Sequence, residues 1–484
     1  MKYIYLYFFT LGFYFTIPTT TAQSWMQTSN TLYGSTSGDS FGRSVSLNSD
    51  GSIIAIGSGG NFSVTRTSVY KLINSSWIQQ GNNIYYGNNT ITKLSKDGST
   101  LIIGHTTDYD PSGNWYGSIK VYKWNGNDWI QKGNKIYGQS YGGYYGYSVA
   151  INEDGSTILV YSIYDMNRVR AYEWNENLSE WEQKGNTISL GISTSGVTQG
   201  SIDFSKDGTT FIIGNPYINN GKVGVFSWNG SDWIQKGQTF HGINDEQLGT
   251  NVSISSNGSV ILIGSPLNDT NGSNTGELKL YEWDGVSWIQ KGQTFNGIIP
   301  TDTNCCLSNF ASSIDNSGNT FAYWSVLNDN PQQGILKIYN WNTNQWVQKG
   351  TNIDGGLGDS NQVNFISLNS DGNTVAIGFP YDFYFDDGIQ TGRVKIYNWS
   401  ENLASDSNDL SNEFNFYPNP IKDYLNFDTE HNMVKVEIYD SAGRILSSKS
   451  IHENKVDLSE LKTGLYILKL YTEKVIVNTK ILKE

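Results

Sequence analysis

A Trp-x-Gln-Lys-Gly element returns at near-constant spacing along most of the chain, and a repeat of this length restricts the fold more than any other feature. It stands at Trp77-Ile78-Gln79-Gln80-Gly81, Trp129-Ile130-Gln131-Lys132-Gly133, Trp181 to Gly185, Trp233 to Gly237, Trp288 to Gly292 and Trp346 to Gly350, with Trp25-Met26-Gln27 as a degenerate first copy. Successive tryptophans lie 52, 52, 52, 52, 55 and 58 residues apart. Between them recur an alternating strand such as Ser44-Val45-Ser46-Leu47, a turn such as Ser49-Asp50-Gly51-Ser52, an apolar strand such as Ile53-Ile54-Ala55-Ile56-Gly57, and a strand ending in aromatics such as Val121-Tyr122-Lys123-Trp124. Asp-Gly and Asn-Gly tolerate the positive φ of tight hairpins, and they sit between apolar runs. Each repeat therefore reads as four antiparallel strands, A to D. One such sheet cannot bury both faces, whereas radial stacking of copies can.

Seven C strands end at Leu72, Trp124, Trp174, Trp228, Trp283, Trp341 and Trp399, and seven D tryptophans match them. The chain enters on a D strand and leaves the array on a C strand. Pairing those two closes the ring and leaves no half-built blade with an open edge. The expected fold is all-β: a seven-bladed β-propeller over 23–400, closed by its N-terminal strand, then a linker at 401–413 and a small β-sandwich at 414–484. Composition agrees. Gly is 52, aromatics are 14% and charged residues only 16%, a balance that suits short strands and tight turns rather than helices. The formal charge of −13 argues against nucleic acid as a partner, since phosphate needs basic patches. The propeller repeats resemble the FG-GAP, integrin-type repeats of secreted bacterial proteins, on Phe41-Gly42-Arg43-Ser44-Val45, Tyr145-Gly146-Tyr147-Ser148-Val149, Ile263-Gly264-Ser265-Pro266 and Ile377-Gly378-Phe379-Pro380. The turn is also similar to that of WD-type repeats.

Lys2, the apolar run from Tyr3 to Pro18 and Thr20-Thr21-Ala22 before Gln23 read as a signal peptide over 1–22. The run is short for a transmembrane span, so no span is expected in the mature protein. After the acidic linker the repeat stops, and strand-like runs separated by Asp440-Ser441-Ala442-Gly443 take over. This segment resembles the type A C-terminal sorting domain of the type IX secretion system of Bacteroidetes. The resemblance rests on Tyr417-Pro418-Asn419-Pro420, Ile438-Tyr439-Asp440 with Gly443, Val456-Asp457-Leu458-Ser459, Gly464-Leu465-Tyr466-Ile467 and Lys480-Ile481-Leu482-Lys483. It implies a sorting signal carried by Pro418, Asn419, Pro420, Gly443, Gly464, Lys480 and Lys483. It also implies the type IX machinery as partner, and cargo attached to the outer cell surface or released.

Chemistry-bearing clusters are sparse. Of four histidines, His431 and His452 fall in the last domain, while His105 and His241 lie blades apart, so neither metal nor cofactor is expected. Cys305 and Cys306 are adjacent and build no disulfide framework. Acids in the B–C loops (Asp108, Asp110, Asp269, Asp329, Asp382, Asp386 and Asp387) are the carboxylates a glycosidase would need. The turn Ser46-Leu47-Asn48-Ser49-Asp50-Gly51 lacks the leading carboxylates of a calcium loop and reads as a hairpin. The repeated tryptophans read as core. Non-repeating aromatics in the D–A and B–C loops (Tyr85, Tyr86, Tyr109, Trp115, Tyr116, Tyr137, Tyr141, Tyr144, Tyr145 and Tyr147) gather on the first three blades. Rigid aromatics beside Asn and Asp suit glycan or protein recognition, and Tyr109, Trp115, Tyr116, Tyr141, Tyr144 and Tyr145 are the candidate contacts. The expected function is a non-enzymatic surface binding or adhesion module for a glycan or protein. A structural component of a surface layer or matrix is the alternative, and a propeller hydrolase is a third reading.

Overall fold

The computed structural model describes residues 24–483 apart from 37, 60–64, 87–89, 164, 166–167, 192–199, 298–310, 327–333, 356–364, 381–382, 385–388, 401–414, 418–419, 429–432, 441–444, 452–454 and 473–475. The expected signal peptide and linker, Cys305, Cys306, Asp329, Asp382, Asp386, Asp387, His431, His452, Pro418, Asn419 and Gly443 lie outside the described residues. Two compact units result, Trp25–Trp399 and one that holds Ser400–Glu484.

Seven sheets of like topology form the first unit. Blade one runs Ser44–Leu47 (A), Ile53–Gly57 (B), Arg66–Ile73 (C) and Ser76–Gln79 (D). Blades two to seven follow with A strands Thr90–Leu94, Tyr145–Ile151, Ser201–Phe204, Asn251–Ile254, Ser312–Ile314 and Phe365–Leu368. Blade seven takes Ser24–Gln27 as its outer strand, beside Arg393–Ser400. The N-terminal strand thus closes the ring: Thr28 N donates to Ile396 O at 3.0 Å, and Trp25 Nε1 donates to Lys349 O at 2.8 Å.

Each blade holds one short piece more than the four strands the sequence suggests. In blade one Ile84–Tyr85 pairs with the start of the C strand, Arg66 facing Tyr85. In blades one to six the break falls at the Gly of the repeated element, while in blade seven Ser29 precedes the extra piece Leu32–Tyr33. Gly81 sits at φ +77°, which breaks the outer strand, and Gln79 Nε2 caps the break by donating to Gly81 O at 3.0 Å and Asn83 Oδ1 at 3.1 Å.

The whole element is a packing device. In blades two to six the D-strand tryptophan packs at a steep tilt against the C-strand tryptophan, with ring centroids 5.2 to 5.5 Å apart and planes 52 to 63° from each other. Its indole N–H crosses to the preceding blade: Trp181 Nε1 donates to Lys132 O at 3.0 Å and Trp233 Nε1 to Lys184 O at 2.9 Å. The lysine before the glycine lies over the next blade's tryptophans, Lys132 Nζ being 4.7 and 5.1 Å from the rings of Trp174 and Trp181. The glycine is obligatory, because a Cβ on Gly133 would come within 2.7 Å of Trp174. The repeated tryptophans are therefore interblade core, with Trp129 5% and Trp288 2% exposed.

The second unit packs two sheets. Asn415–Tyr417, Tyr424–Asp428 and Lys455–Asp457 form one; Ile445–Ser450, Met433–Tyr439, Gly464–Thr472 and Ile476–Lys483 form the other. Leu425, Phe427 and Val456 from the first bury against Val436, Ile438, Leu468 and Leu470 from the second. Ile421 N donates to Leu482 O at 2.7 Å, which anchors the start of the domain beside its last strand. Lys483 is buried there.

Candidate functional site

The D–A and B–C loops tie together at one end of the blades. Gly34 N donates to Gly392 O, Gly138 N to Gly117 O and Gly242 N to Gly221 O, at 2.8 to 3.0 Å. On blades two and three these loops carry the aromatics.

Trp115 organises them. It donates through Nε1 to Thr106 O at 3.1 Å, and its ring lies 5.0 Å from Tyr144 and 6.5 Å from Tyr141. Tyr141 is 73% exposed. Tyr109 bridges Trp115 across the loop and is 59% exposed. Asp110 stiffens this loop by accepting from the backbone N–H groups of Ser112 and Asn114 at 2.9 and 2.7 Å. Tyr116 is half-buried and its carbonyl accepts from Tyr145 N. Of the six candidate contacts the structure thus gathers Trp115, Tyr141 and Tyr144, with Tyr109 alongside.

Tyr145 is a correction. It is 1% exposed, belongs to the core between blades two and three, and its hydroxyl donates to Tyr172 Oη at 2.8 Å. Gly146 at φ +87° kinks the strand start and brings it against Gly104, where a Cβ on Gly104 would meet Gly146 O at 2.1 Å. That close approach turns the Tyr145 ring inward. Tyr86 is likewise buried, hydrogen-bonded to Ser118.

The loop acids are occupied. Asp108 Oδ2 accepts from Lys135 Nζ at 2.8 Å and Ser118 Oγ at 2.5 Å, and His105 Nδ1 stands 3.8 Å from Oδ1. Burial pushes the Asp108 carboxyl up, but Lys135, Ser118 and His105 together hold it below the usual carboxylate range. Asp110 is held low by the hydrogen bonds from Asn114 first. Both carboxylates are thereby favoured in their ionised form. In the hairpin once weighed as a calcium loop, Asn48 Oδ1 accepts from Ile53 N at 2.9 Å and Asp50 Oδ1 from Ser52 N at 2.8 Å. Among the described residues no three His, Cys, Asp or Glu side chains are grouped to hold a metal.

The inner strands enclose a central channel of ≈ 540 Å³, lined from every blade and reached by Tyr144 and Tyr147. Serine hydroxyls knit its wall. Ser46 Oγ accepts from Leu94 N at 3.0 Å, Ser367 Oγ from Leu47 N at 3.0 Å, Ser313 Oγ from Leu368 N at 3.1 Å and Ser201 Oγ from Val252 N at 2.8 Å. Hence the Ser-Val-Ser pattern: the inner edge strands of blades one, two, four, five and seven each meet a hydroxyl of a neighbour in place of a further strand. At the far end the A–B turns close a ring of backbone bonds. Ser49 N donates to Lys96 O, Asp97 N to Glu153 O, Glu153 N to Lys206 O, Lys206 N to Ser256 O, Ser256 N to Asn316 O, Asn316 N to Ser370 O and Ser370 N to Ser49 O, at 2.7 to 3.1 Å. Charged lining residues are Arg43, Lys93, Lys96, Asp203 and Asp315. Sequence reading missed them, though Lys93 and Asp203 do show as breaks in the serine pattern.

Comparison with known proteins defines a class in two steps. Residues 415–484 match the family model described as a secretion system C-terminal sorting domain, which supports export by type IX secretion to the cell surface or beyond. Solved structures resemble the propeller at low identity. A proposed 6-phosphogluconolactonase from Bacteroides uniformis is 14% identical over 64% of this chain and 85% of its own, with a TM-score of 0.46. A periplasmic gluconolactonase from Pseudomonas aeruginosa is 15% identical over 66% and 86%, at 0.45. A functionally unknown protein from Desulfotomaculum acetoxidans is 12% identical over 68% and 90%, at 0.43. No curated protein matches the chain. The chain's own seven sheets and the family match together give a seven-bladed propeller followed by a secretion sorting domain.

Proposed function

We propose that the chain is an exported, non-enzymatic binding propeller whose contact face is the Trp115–Tyr141–Tyr144 cluster with Tyr109, and whose ligand is a glycan or a protein surface. The observation that carries this reading is Tyr141, 73% exposed yet held against Trp115 by a loop whose turn Asp110 caps. A rigid, solvent-facing aromatic loses little entropy on contact, and such side chains stack on sugar rings or anchor protein interfaces. The non-enzymatic part rests on the ionised, hydrogen-bonded state of Asp108 and Asp110. The approach of Gly42 and Gly378, where a Cβ on Gly378 would meet Gly42 O at 2.0 Å, fits the Phe-Gly and Ile-Gly elements that the chain shares with FG-GAP-like repeats.

The test is a glycan-array and pull-down screen of the exported chain beside Trp115→Ala and Tyr141→Ala. Wild-type binding should fall by tenfold or more, about 1.4 kcal/mol, in each variant. Binding that both variants retain places the contact elsewhere. Hydrolysis of any captured glycan would overturn the non-enzymatic reading.

A further inference from the structure

We infer that the channel holds a binding site for a small oxyanion, a carboxylate or phosphate group, made by Lys93 and Lys96. Seven inner strands offer one equivalent slot each to the channel, filled by Ser46, Lys93, Ala150, Asp203, Ser253, Ser313 and Ser367, as the pairing register shows. Serine there accepts a backbone N–H from the next blade, as Ser46, Ser313 and Ser367 do. An ammonium has no acceptor. Blade two therefore gives up the tie and presents a cation instead. Blade three, beside it, fills the slot with Ala150, the smallest of the seven, which leaves space next to Lys93.

Lys96 repeats the pattern at the far ring. Four of its six counterparts are paired with one another: Lys206 Nζ lies 2.5 Å from Glu153 Oε1, and Ser256 bonds Asn316, while Ser49 and Ser370 carry no charge to be matched. Neither Lys93 nor Lys96 has a hydrogen-bond or ion-pair partner for its ammonium among the described residues, although both line the channel. Burial pulls Lys96 below the ordinary lysine range, and Lys93 adds to that against the opposing pull of Asp203, Asp315 and Glu153. The two acids of the lining do not complete the site. Asp203 Oδ2 accepts from Ile254 N at 2.9 Å and Ser253 Oγ at 3.0 Å, and its Oδ1 accepts from Phe204 N at 3.0 Å. Asp315 Oδ1 accepts from Asn319 N and Thr320 N, and its Oδ2 from Ser317 Oγ. Arg43, Lys93 and Lys96 outnumber Asp203 and Asp315 in the lining of a chain whose formal charge is −13. Two ammoniums that face one channel without a protein acceptor offer it charged donors that a single anion can accept from.

Lys93 and Lys96 are not members of the aromatic cluster, although Tyr144 borders the same channel, and the test reads the anion alone. Inorganic phosphate and acetate are titrated calorimetrically into the full chain at fixed ionic strength, against Lys93→Gln, Lys96→Gln and Lys96→Arg. One anion should bind per chain. Each Gln variant should weaken it about tenfold or more, while Lys96→Arg keeps most of the affinity. Phosphate binding without acetate binding assigns a phosphoryl ligand, and the reverse a carboxylate. Trp115→Ala should leave the titration unchanged. Undiminished binding in a folded Lys93→Gln/Lys96→Gln chain, or no binding of either anion by the folded wild type, overturns the proposal.

Discussion

Between blades two and three, Lys132 covers Trp174 and Trp181, and the indole of Trp181 bonds Lys132 O. Between blades seven and one, where the ring closes, the same positions hold Thr28, Leu72 and Trp77, and Ser29 stands in place of the glycine. Trp77 Nε1 is buried with no hydrogen-bond partner among the described residues. The seam has contacts of its own. Phe41 is fully buried there with its ring edge on Tyr70, 6.4 Å away, and Arg66 lies 5.9 Å over Phe41 while pairing with Asp39 at 2.6 Å. The other six interfaces share the indole hydrogen bond, the tryptophan pair and the glycine, and five of them add the lysine, Gln80 standing in its place between blades one and two. The seam relies instead on pairing of a separate strand and on apolar filling at its upper end. There the tryptophan, lysine and glycine are missing together: without a tryptophan at 72, neither the covering lysine nor the bare glycine is needed.

The largest effect should come from removing the closing strand. A chain starting at Gly34 leaves Arg393–Ser400 as an open edge and exposes the inner faces of blades seven and one. It should fail to give a cooperative thermal transition and should aggregate on size exclusion. Trp25→Ala tests the same closure more gently and should cost about 3 kcal/mol in denaturant unfolding. A truncated chain that melts like the parent would show that the seam does not hold the ring.

Installing the cassette at the seam is the next largest. Leu72→Trp alone should destabilise by about 1–3 kcal/mol, because the new ring edge would meet the Ser29 side chain as Trp174 would meet a Cβ on Gly133. Adding Ser29→Gly and Thr28→Lys should restore wild-type stability or exceed it. Equal stability of single and triple variants would break the claim that lysine, tryptophan and glycine act as one unit.

What the sequence discloses follows the same division. The period, the Asp-Gly turns and the mismatch between first and last strands are local signals, so blade number and closure were legible from Trp25, Trp399 and the copies between. The split of each outer strand was not. In blades one to six it accompanies Gly81 and its equivalents at positive φ against a neighbouring blade's tryptophan, a contact about fifty residues away. The aromatic face was half legible. Tyr141 and Trp115 stand where loop residues should, but whether Tyr144 or Tyr145 faces out turns on the kink at Gly146 and the register shift after Tyr145. Lys93 and Lys96 meet the other channel residues only once seven blades close.

The smallest effect isolates a single hydrogen bond. Trp233 Nε1 donates to Lys184 O at 2.9 Å, and Trp233 is 4% exposed. Trp77 is 8% exposed with its N–H unpartnered. Phenylalanine keeps much of the apolar area of either ring and removes the N–H. In Trp233→Phe a buried carbonyl loses its donor, so the cassette interface should weaken by about 1 kcal/mol more than the shared loss of ring area accounts for. In Trp77→Phe the same loss of area is offset by removal of an unsatisfied polar group. Denaturant titration should therefore rank Trp77→Phe as more stable than Trp233→Phe by about 1–3 kcal/mol. Equal losses would mean that the Trp77 indole finds an acceptor in solution, and the seam would then share the hydrogen bond of the other interfaces while still lacking their C-strand tryptophan and glycine.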